Sequence, residues 1–293
     1  MSSTEAARNA DQLLRADAQT LSSAQQLALS DARREIQLLL TRVCGVDLAG
    51  LLAHPERIPQ ARASQSYLDM FARRLYGEPI AYILNEREFY GRAFELTPDV
   101  LIPRPETELL VECALERLPE HAERKVLDLG TGSGCIAITL AKQRREIKVI
   151  ATDASKAALA VAARNVARHA AFNVELRAGN WFEPVMDLRF DVIVSNPPYV
   201  AEHDPHLQQG DLRFEPRTAL CAGVDGLSAL EIIIAAAPRH LKPGGWLLVE
   251  HGHDQSSAVL HLMRSSGLAE VIARSDLAGI ARLAAARLLE ATP

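Results

Sequence analysis

Between about Asp11 and Tyr76 the apolar residues recur at three- and four-residue spacing among Ala, Leu, Gln and Arg, the pattern of helices with one buried stripe. Asp31 stands where a helix cap is favoured, Ile36, Leu39, Leu40 and Val43 form the stripe, and Gly45 closes the segment. A second helix is expected to begin near Pro59, to turn Tyr67, Met70, Phe71 and Leu75 inward and to stop at Gly77 before Pro79. No reactive cluster accompanies this pattern, so it reads as a helical docking module. From Ala81 to Leu96 the residues alternate in β fashion around Tyr90-Gly91-Arg92, which predicts a hairpin with Phe89 and Tyr90 in its core.

Beyond this point Leu101-Ile102-Pro103-Arg104-Pro105 forms an extended strap, because each proline fixes its own backbone and restricts the residue before it. Short apolar runs then alternate with helical patterns. Val126–Leu129, Val149–Thr152, Val192–Ser195 and Trp246–Glu250 read as strands, Ala157–His169 and Leu227–His240 as helices. That alternation predicts an α/β fold with a parallel, doubly wound sheet. The segment Ala281–Leu289 is alanine-rich and helical by propensity, yet Asp276-Leu277-Ala278-Gly279 before it looks like a turn following a strand. The local pattern leaves both open.

Composition narrows the class without choosing a function. The chain has 293 residues, 48% hydrophobic and 24% charged, which excludes disordered and collagen-like sequences. A net charge of −5 argues against a free-standing nucleic-acid binder, which normally carries a basic face. Cys44, Cys113, Cys135 and Cys221 are widely spaced in apolar surroundings, which suits a reducing, cytoplasmic location better than a disulfide framework or a zinc site. The N-terminal residues lack the pattern of a signal peptide, and no run approaches the roughly 18 apolar residues of a membrane helix.

The first strand runs into Asp128-Leu129-Gly130-Thr131-Gly132-Ser133-Gly134, and Asp153 ends the next strand. Glycines at the end of a first strand let a ligand approach the backbone, and an acid at the second can accept hydrogen bonds from both hydroxyls of a ribose. The spacing G-x-G-x-G is one residue shorter than the dinucleotide fingerprint. It suits the amino-acid end of S-adenosylmethionine, which has no pyrophosphate to cradle. A plain strand–helix turn is the bland alternative, and the two acids weigh against it.

The second motif is Ser195-Asn196-Pro197-Pro198-Tyr199, directly after an apolar strand. In a doubly wound sheet this loop shares one crevice with the glycine loop. The two prolines lock the backbone, so Asn196 offers a side-chain carbonyl and Pro197 a backbone carbonyl at fixed positions. Two such acceptors match the two N–H groups of a planar amide or amino nitrogen, and Tyr199 offers a face for the flat group to stack on. Hydrogen bonds to both protons favour a pyramidal nitrogen with a localised lone pair aimed at a sulfonium methyl. No general base is evident, so the proton is expected to leave to water.

On these motifs the chain resembles the protein-glutamine N5-methyltransferases that modify bacterial peptide-chain release factors. The likeness extends to Gly77-Glu78-Pro79-Ile80-Ala81-Tyr82, the strap with Glu106-Thr107-Glu108, Asp204-Pro205-His206-Leu207, Arg213-Phe214-Glu215-Pro216 and Glu250-His251-Gly252. The resemblance implies a seven-stranded Rossmann-like class I S-adenosylmethionine-dependent methyltransferase domain after an N-terminal helical bundle and a β-hairpin linker. It makes Ala281–Leu289 the last, antiparallel strand. It divides the chain into a disordered tail (1–11), the helical module (12–79), the linker (80–100) and the catalytic domain (101–293). By motif, Gly130, Thr131, Gly132, Ser133, Gly134, Asp153 and Asn196 hold S-adenosylmethionine and Trp181 flanks its adenine. Asn196, Pro197, Pro198 and Tyr199 grip the glutamine of a Gly-Gly-Gln loop, with Asn196, Pro197 and Tyr199 as the catalytic set. Asn180 stands where the family commonly has Asp, a neutral acceptor for a charged one.

The implied partner is a release factor, met by a monomer without direct contact to nucleic acid or membrane. Competing readings are an adenine-N6 DNA methyltransferase, a ribosomal-protein glutamine methyltransferase and a non-catalytic binder of S-adenosylmethionine. No metal is expected: His203 and His206, and His251 with His253, lack further ligands. Glu250 ends a strand beside the crevice without an assigned role, and for Arg104 a cover over the cofactor and a surface ion pair are equal readings.

Overall fold

A computed structural model of the chain describes residues 8–56, 59 and 61–290. These form two compact units, the first built from residues up to Asn85 together with Gln208–Phe214, the second from Glu86–Leu207 and the chain from Glu215 on.

The first unit is helical: α1 (Ala10–Gln25), α2 (Leu29–Cys44), α3 (Leu48–Ala53), α4 (Ala61–Leu75) and α5 (Ile80–Leu84). Residues 1–7 of the expected tail lie outside the described residues, but Asn9 already caps α1. Its side chain accepts from the Gln12 N–H at 2.9 Å while the Gln12 side chain accepts from the Asn9 N–H at 3.0 Å. Asp31 is not a cap. Helix α2 begins two residues earlier, after Ala28, and Asp31 lies in its first turn, where an acid opposes the positive end of the helix dipole. Gly45 closes α2 in the left-handed region, as expected.

Leu13, Leu14, Leu21, Ile36, Leu39, Leu40 and Tyr67 form the core of this unit, with Met70, Phe71 and Leu75 packed against it. Two polar groups cross that core, each satisfied. Tyr67 donates to Asp17 at 2.7 Å, and the Arg74 guanidinium pairs with Glu35 at 2.6 Å. Residues 80–84, expected in the hairpin linker, instead make α5, whose buried Ile83 joins the same core. The segment Gln208–Phe214 is held here by Arg213, which donates to the Tyr76 carbonyl at 3.2 Å, and by the edge of the Phe214 ring against Tyr76.

The second unit opens with the hairpin of β1 (Glu86–Phe89) and β2 (Arg92–Glu95). Its two turn residues, Tyr90 and Gly91, both have positive φ, which is the geometry that matches the twist of a tight hairpin. There follow α6 (Glu108–Leu115), β3 (Lys125–Leu129), α7 (Cys135–Gln143), β4 (Lys148–Asp153), α8 (Lys156–Arg168) and β5 (Val174–Ala178). The chain continues through β6 (Phe190–Ser195), α9 (Arg217–Leu220), α10 (Ser228–His240), β7 (Leu241–Glu250), α11 (Ser256–Ser265), β8 (Ala269–Ser275) and β9 (Ala281–Arg287). The hairpin packs on α8. There the buried Asn165 holds both backbone groups of Glu95.

The seven strands order as β5-β4-β3-β6-β7-β9-β8, parallel except for β9, which is antiparallel to both of its neighbours. Alternate residues of each strand feed two cores. Val126, Val192, Val194 and Leu248 face α6 and α7, while Leu127, Leu129, Ile193 and Val249 face α10 and α11. Ala284, Ala285 and Ala286 of β9 are fully buried. Pairing on both sides overrides helix propensity, and the small side chains fit between layers covered on both faces. Strand order reverses between β3 and β6, which opens the ligand crevice beyond their carboxyl ends.

Candidate active site

The glycine loop leaves β3 with Gly130, Gly132 and Gly134 all at positive φ, a path that bulkier residues resist. The Gly130 and Thr131 amides donate to the Thr152 carbonyl at 2.9 and 3.0 Å, and Gly134 closes the turn onto Thr131. A side chain at Gly134 would press on Ile138 and Ala162, so this glycine serves the packing of α7 on α8. Asp153 accepts from the Gly132 N–H at 2.9 Å and from the Ser155 N–H at 2.8 Å. Two backbone donors thus fix this carboxylate while it retains acceptor capacity toward the crevice. Beneath the loop, burial pushes the Asp128 carboxyl up to about 7, despite the hydrogen bond it accepts from Thr131 at 2.6 Å.

A cavity of about 490 Å³ lies over this loop, within the roughly 300–1,000 Å³ typical of small-molecule sites. Gly130, Thr131, Gly132, Ser133, Asp153, Trp181, Asn196 and Pro198 line it, and so does Asn180. Gly134, Pro197 and Tyr199 are not among its lining residues. The Trp181 ring stands over Gly130, and its backbone, itself at positive φ, is held by the Thr152 hydroxyl at 3.1 Å.

The strap supplies a wall that the motifs did not indicate, through Leu101, Pro103 and Thr107. It turns into a 3₁₀ helix at Pro105–Thr107. Arg104 does not line the cavity; its guanidinium pairs with Glu215, whose side chain is fully buried, and Glu215 also accepts from the Ile102 N–H at 3.0 Å. The pair therefore anchors the strap.

At the end of β6, the Ser195 hydroxyl donates to the Leu129 carbonyl at 2.8 Å and ties the two strand ends together. Asn196 donates through Nδ2 to the Thr107 hydroxyl at 3.1 Å, while its Oδ1 is buried with no hydrogen-bond partner. A buried acceptor left open is costly, about 1–3 kcal/mol, and its presence in a cavity wall marks a place for a donor from a ligand. Tyr199 donates to Glu250 at 3.0 Å, and its carbonyl accepts from Gln255 at 2.9 Å. That carbonyl also lies so close to Gly226 that any side chain there would collide with it. Burial pushes the Glu250 carboxyl up to about 7, against the hydrogen bond from Tyr199 and the nearby Thr107 hydroxyl and Arg282 guanidinium; its Oε2 is buried with no hydrogen-bond partner.

An oriented acid, an approachable backbone, an indole wall and an unsatisfied carboxamide oxygen fit a nucleoside-bearing cofactor beside an N–H-bearing substrate. The fold and this site define a class I S-adenosylmethionine-dependent methyltransferase. The "Methyltransferase small domain" model matches residues 106–211, and the "PrmC N-terminal domain" model matches residues 12–84. A methyltransferase crystal structure from Pyrococcus furiosus shares the fold, with a TM-score of 0.53 at 21% identity over 76% of this chain and 99% of that one. The release factor glutamine methyltransferase of Bordetella pertussis is 52% identical over 86% of this chain and 93% of its own length. That of Xylella fastidiosa is 49% identical over 84% and 89%. The chain belongs to the release factor glutamine methyltransferase family.

Proposed function

We propose that this protein transfers a methyl group from S-adenosylmethionine to the side-chain amide nitrogen of the glutamine in the Gly-Gly-Gln motif of peptide-chain release factors. The observation that carries this reading is the buried, partnerless Oδ1 of Asn196 in the wall of the cavity above the glycine loop. Asp153 and the glycine-loop backbone hold the cofactor's ribose and amino-acid end, and Trp181 lies along its adenine. The bound cofactor supplies an electrophilic sulfonium methyl group. Asn196 Oδ1 and the Pro197 carbonyl accept the two amide protons, orienting the nitrogen lone pair toward that carbon. As the amide nitrogen takes up the methyl group, the same two acceptors would stabilise the positive charge developing on that nitrogen. The surplus proton then leaves to solvent. Alignment of two reactants in this way contributes on the order of 7–11 kcal/mol to lowering a barrier.

The test is incubation with labelled S-adenosylmethionine and, separately, release factor, DNA and ribosomal proteins, followed by peptide mass spectrometry. Label on the Gly-Gly-Gln glutamine is expected. Label on DNA or on ribosomal protein, with none on release factor, would overturn the reading.

A further inference from the structure

A carboxamide can present either its oxygen or its nitrogen to a substrate, because the two orientations occupy nearly the same volume. For Asn196 only one serves: the oxygen must face the substrate's N–H groups, and the reverse would oppose donor to donor. Something must therefore distinguish the two ends. Nδ2 meets a single group, the Thr107 hydroxyl at 3.1 Å, and Thr107 is itself buried. A hydroxyl has one proton to give. The Thr107 hydroxyl faces the buried carboxyl of Glu250, whose Oε1 receives the Tyr199 hydroxyl at 3.0 Å and whose Oε2 is buried without a hydrogen-bond partner. An ionised carboxylate can only accept, so its open Oε2 draws the Thr107 proton toward itself and leaves the hydroxyl oxygen to accept from Asn196.

We propose that Thr107 and Glu250 are positioning residues that set the direction of this hydrogen-bond chain and hold Asn196 Oδ1 toward the substrate amide. The inference rests on the proposed amide methylation. Glu250 lies outside the cavity lining and acts only through Thr107 and Tyr199, which explains why a costly buried acid stands at this strand end. A neutral group there, able to donate, permits the chain to run backwards and Asn196 to turn over.

The test compares Thr107→Val, Glu250→Gln and Thr107→Ser with the wild-type enzyme, using release factor as substrate. The readouts are kcat, KM, thermal stability and the affinity for S-adenosylmethionine measured by calorimetry. Thr107→Val and Glu250→Gln are expected to lower kcat on the order of 10- to 100-fold, the scale of a misplaced reacting group. Cofactor affinity should stay within about threefold, because a shift of that size is under 1 kcal/mol. The double variant should lose no more than either single one, since both cut the same chain. Thr107→Ser keeps the hydroxyl and should retain kcat. Wild-type kcat in Thr107→Val or Glu250→Gln overturns the proposal. So does a loss of about tenfold or more in Thr107→Ser, which decides the matter even if the other variants fail to fold. A wild-type enzyme that methylates DNA and no release factor instead overturns the function on which the proposal rests.

Discussion

Asn165 offers a direct measure of how the hairpin and the glycine loop depend on each other. Its side chain, fully buried on α8, accepts from the Glu95 N–H at 2.7 Å and donates to the Glu95 carbonyl at 3.0 Å. It donates as well to the carbonyl of Ser133, in the glycine loop, at 2.9 Å. Replacing it by Leu preserves the volume and removes all three bonds. The Ser133 carbonyl is deeply buried and loses its partner outright, at about 1–3 kcal/mol, whereas the Glu95 groups can reach water and lose about 0.5–1.5 kcal/mol each. The total is roughly 2–6 kcal/mol. For a unit of ~200 residues, each kcal/mol shifts Tm by about 2–4 °C, so a fall of at least ~4 °C is expected. Differential scanning calorimetry reads the fall, and titration calorimetry should show cofactor affinity weakened on the order of tenfold as Ser133 loosens. A Tm within 2 °C of wild type, with unchanged cofactor affinity, would refute the idea that this one side chain staples both elements (the threshold being ~1 kcal/mol on the same scale).

Asn196→Ala should abolish methyl transfer while leaving S-adenosylmethionine affinity nearly unchanged in calorimetry; an active variant refutes its role. The activity should follow the ionised form of Glu250, so kcat at saturating cofactor is expected to fall as pH drops through about 7. The Thr107 and Tyr199 hydroxyls and Arg282 favour ionisation there and Glu106 opposes it; a kcat flat from pH 6 to 8 on a rate profile (~1 unit either side of a half-titration point) contradicts this. The stability effect has the opposite sign. Asp128 and Glu250 take up protons more readily folded than unfolded, so their contribution is complete below about 4 and is withdrawn as pH rises through about 7. Glu250→Gln should therefore raise Tm at alkaline pH, but not at mildly acidic pH, even as it lowers kcat. Arg104→Ala strips the guanidinium from buried Glu215 and should cost about 2–4 kcal/mol in denaturant unfolding, scaled down from a fully buried pair because Arg104 is partly exposed. Adding Glu215→Gln should recover much of that loss, and no recovery would argue that packing rather than charge is at stake.

The features legible in the sequence were those whose residues lie close together in the chain. The glycine loop, the acid after the second strand and the Asn-Pro-Pro-Tyr loop each read locally, and parallel-sheet geometry then requires them to share an edge. What escaped was set by contacts between distant residues. Thr107 stands 89 positions from Asn196 and looks like any residue of a proline-rich strap; the role proposed for it rests on that distant contact and on the buried Glu250 carboxyl nearby. Local pattern also misplaced the start of α2, where the helix extends past the favoured capping residue to Leu29. It could not decide β9, because no local preference of Leu283-Ala284-Ala285-Ala286 announces that two strands wait on either side. The short run Gln208–Phe214 gave no hint that it packs with the helical unit, since its anchors are the Tyr76 carbonyl and ring.

The position of β9 has a consequence for how copies of the protein meet one another. An alanine-rich strand at the rim of a sheet would present a nearly uncharged row of open backbone groups, ready to pair with another molecule. Here that strand lies inside, and the rims are β5 and β8. Each rim carries an acid and a base, Glu175 with Arg177 on one and Glu270 with Arg274 on the other. A strand adding from outside must strip water from these charges, so the sheet resists edge-to-edge growth. The same arrangement that completes the catalytic sheet thus also helps keep the protein in solution at high concentration.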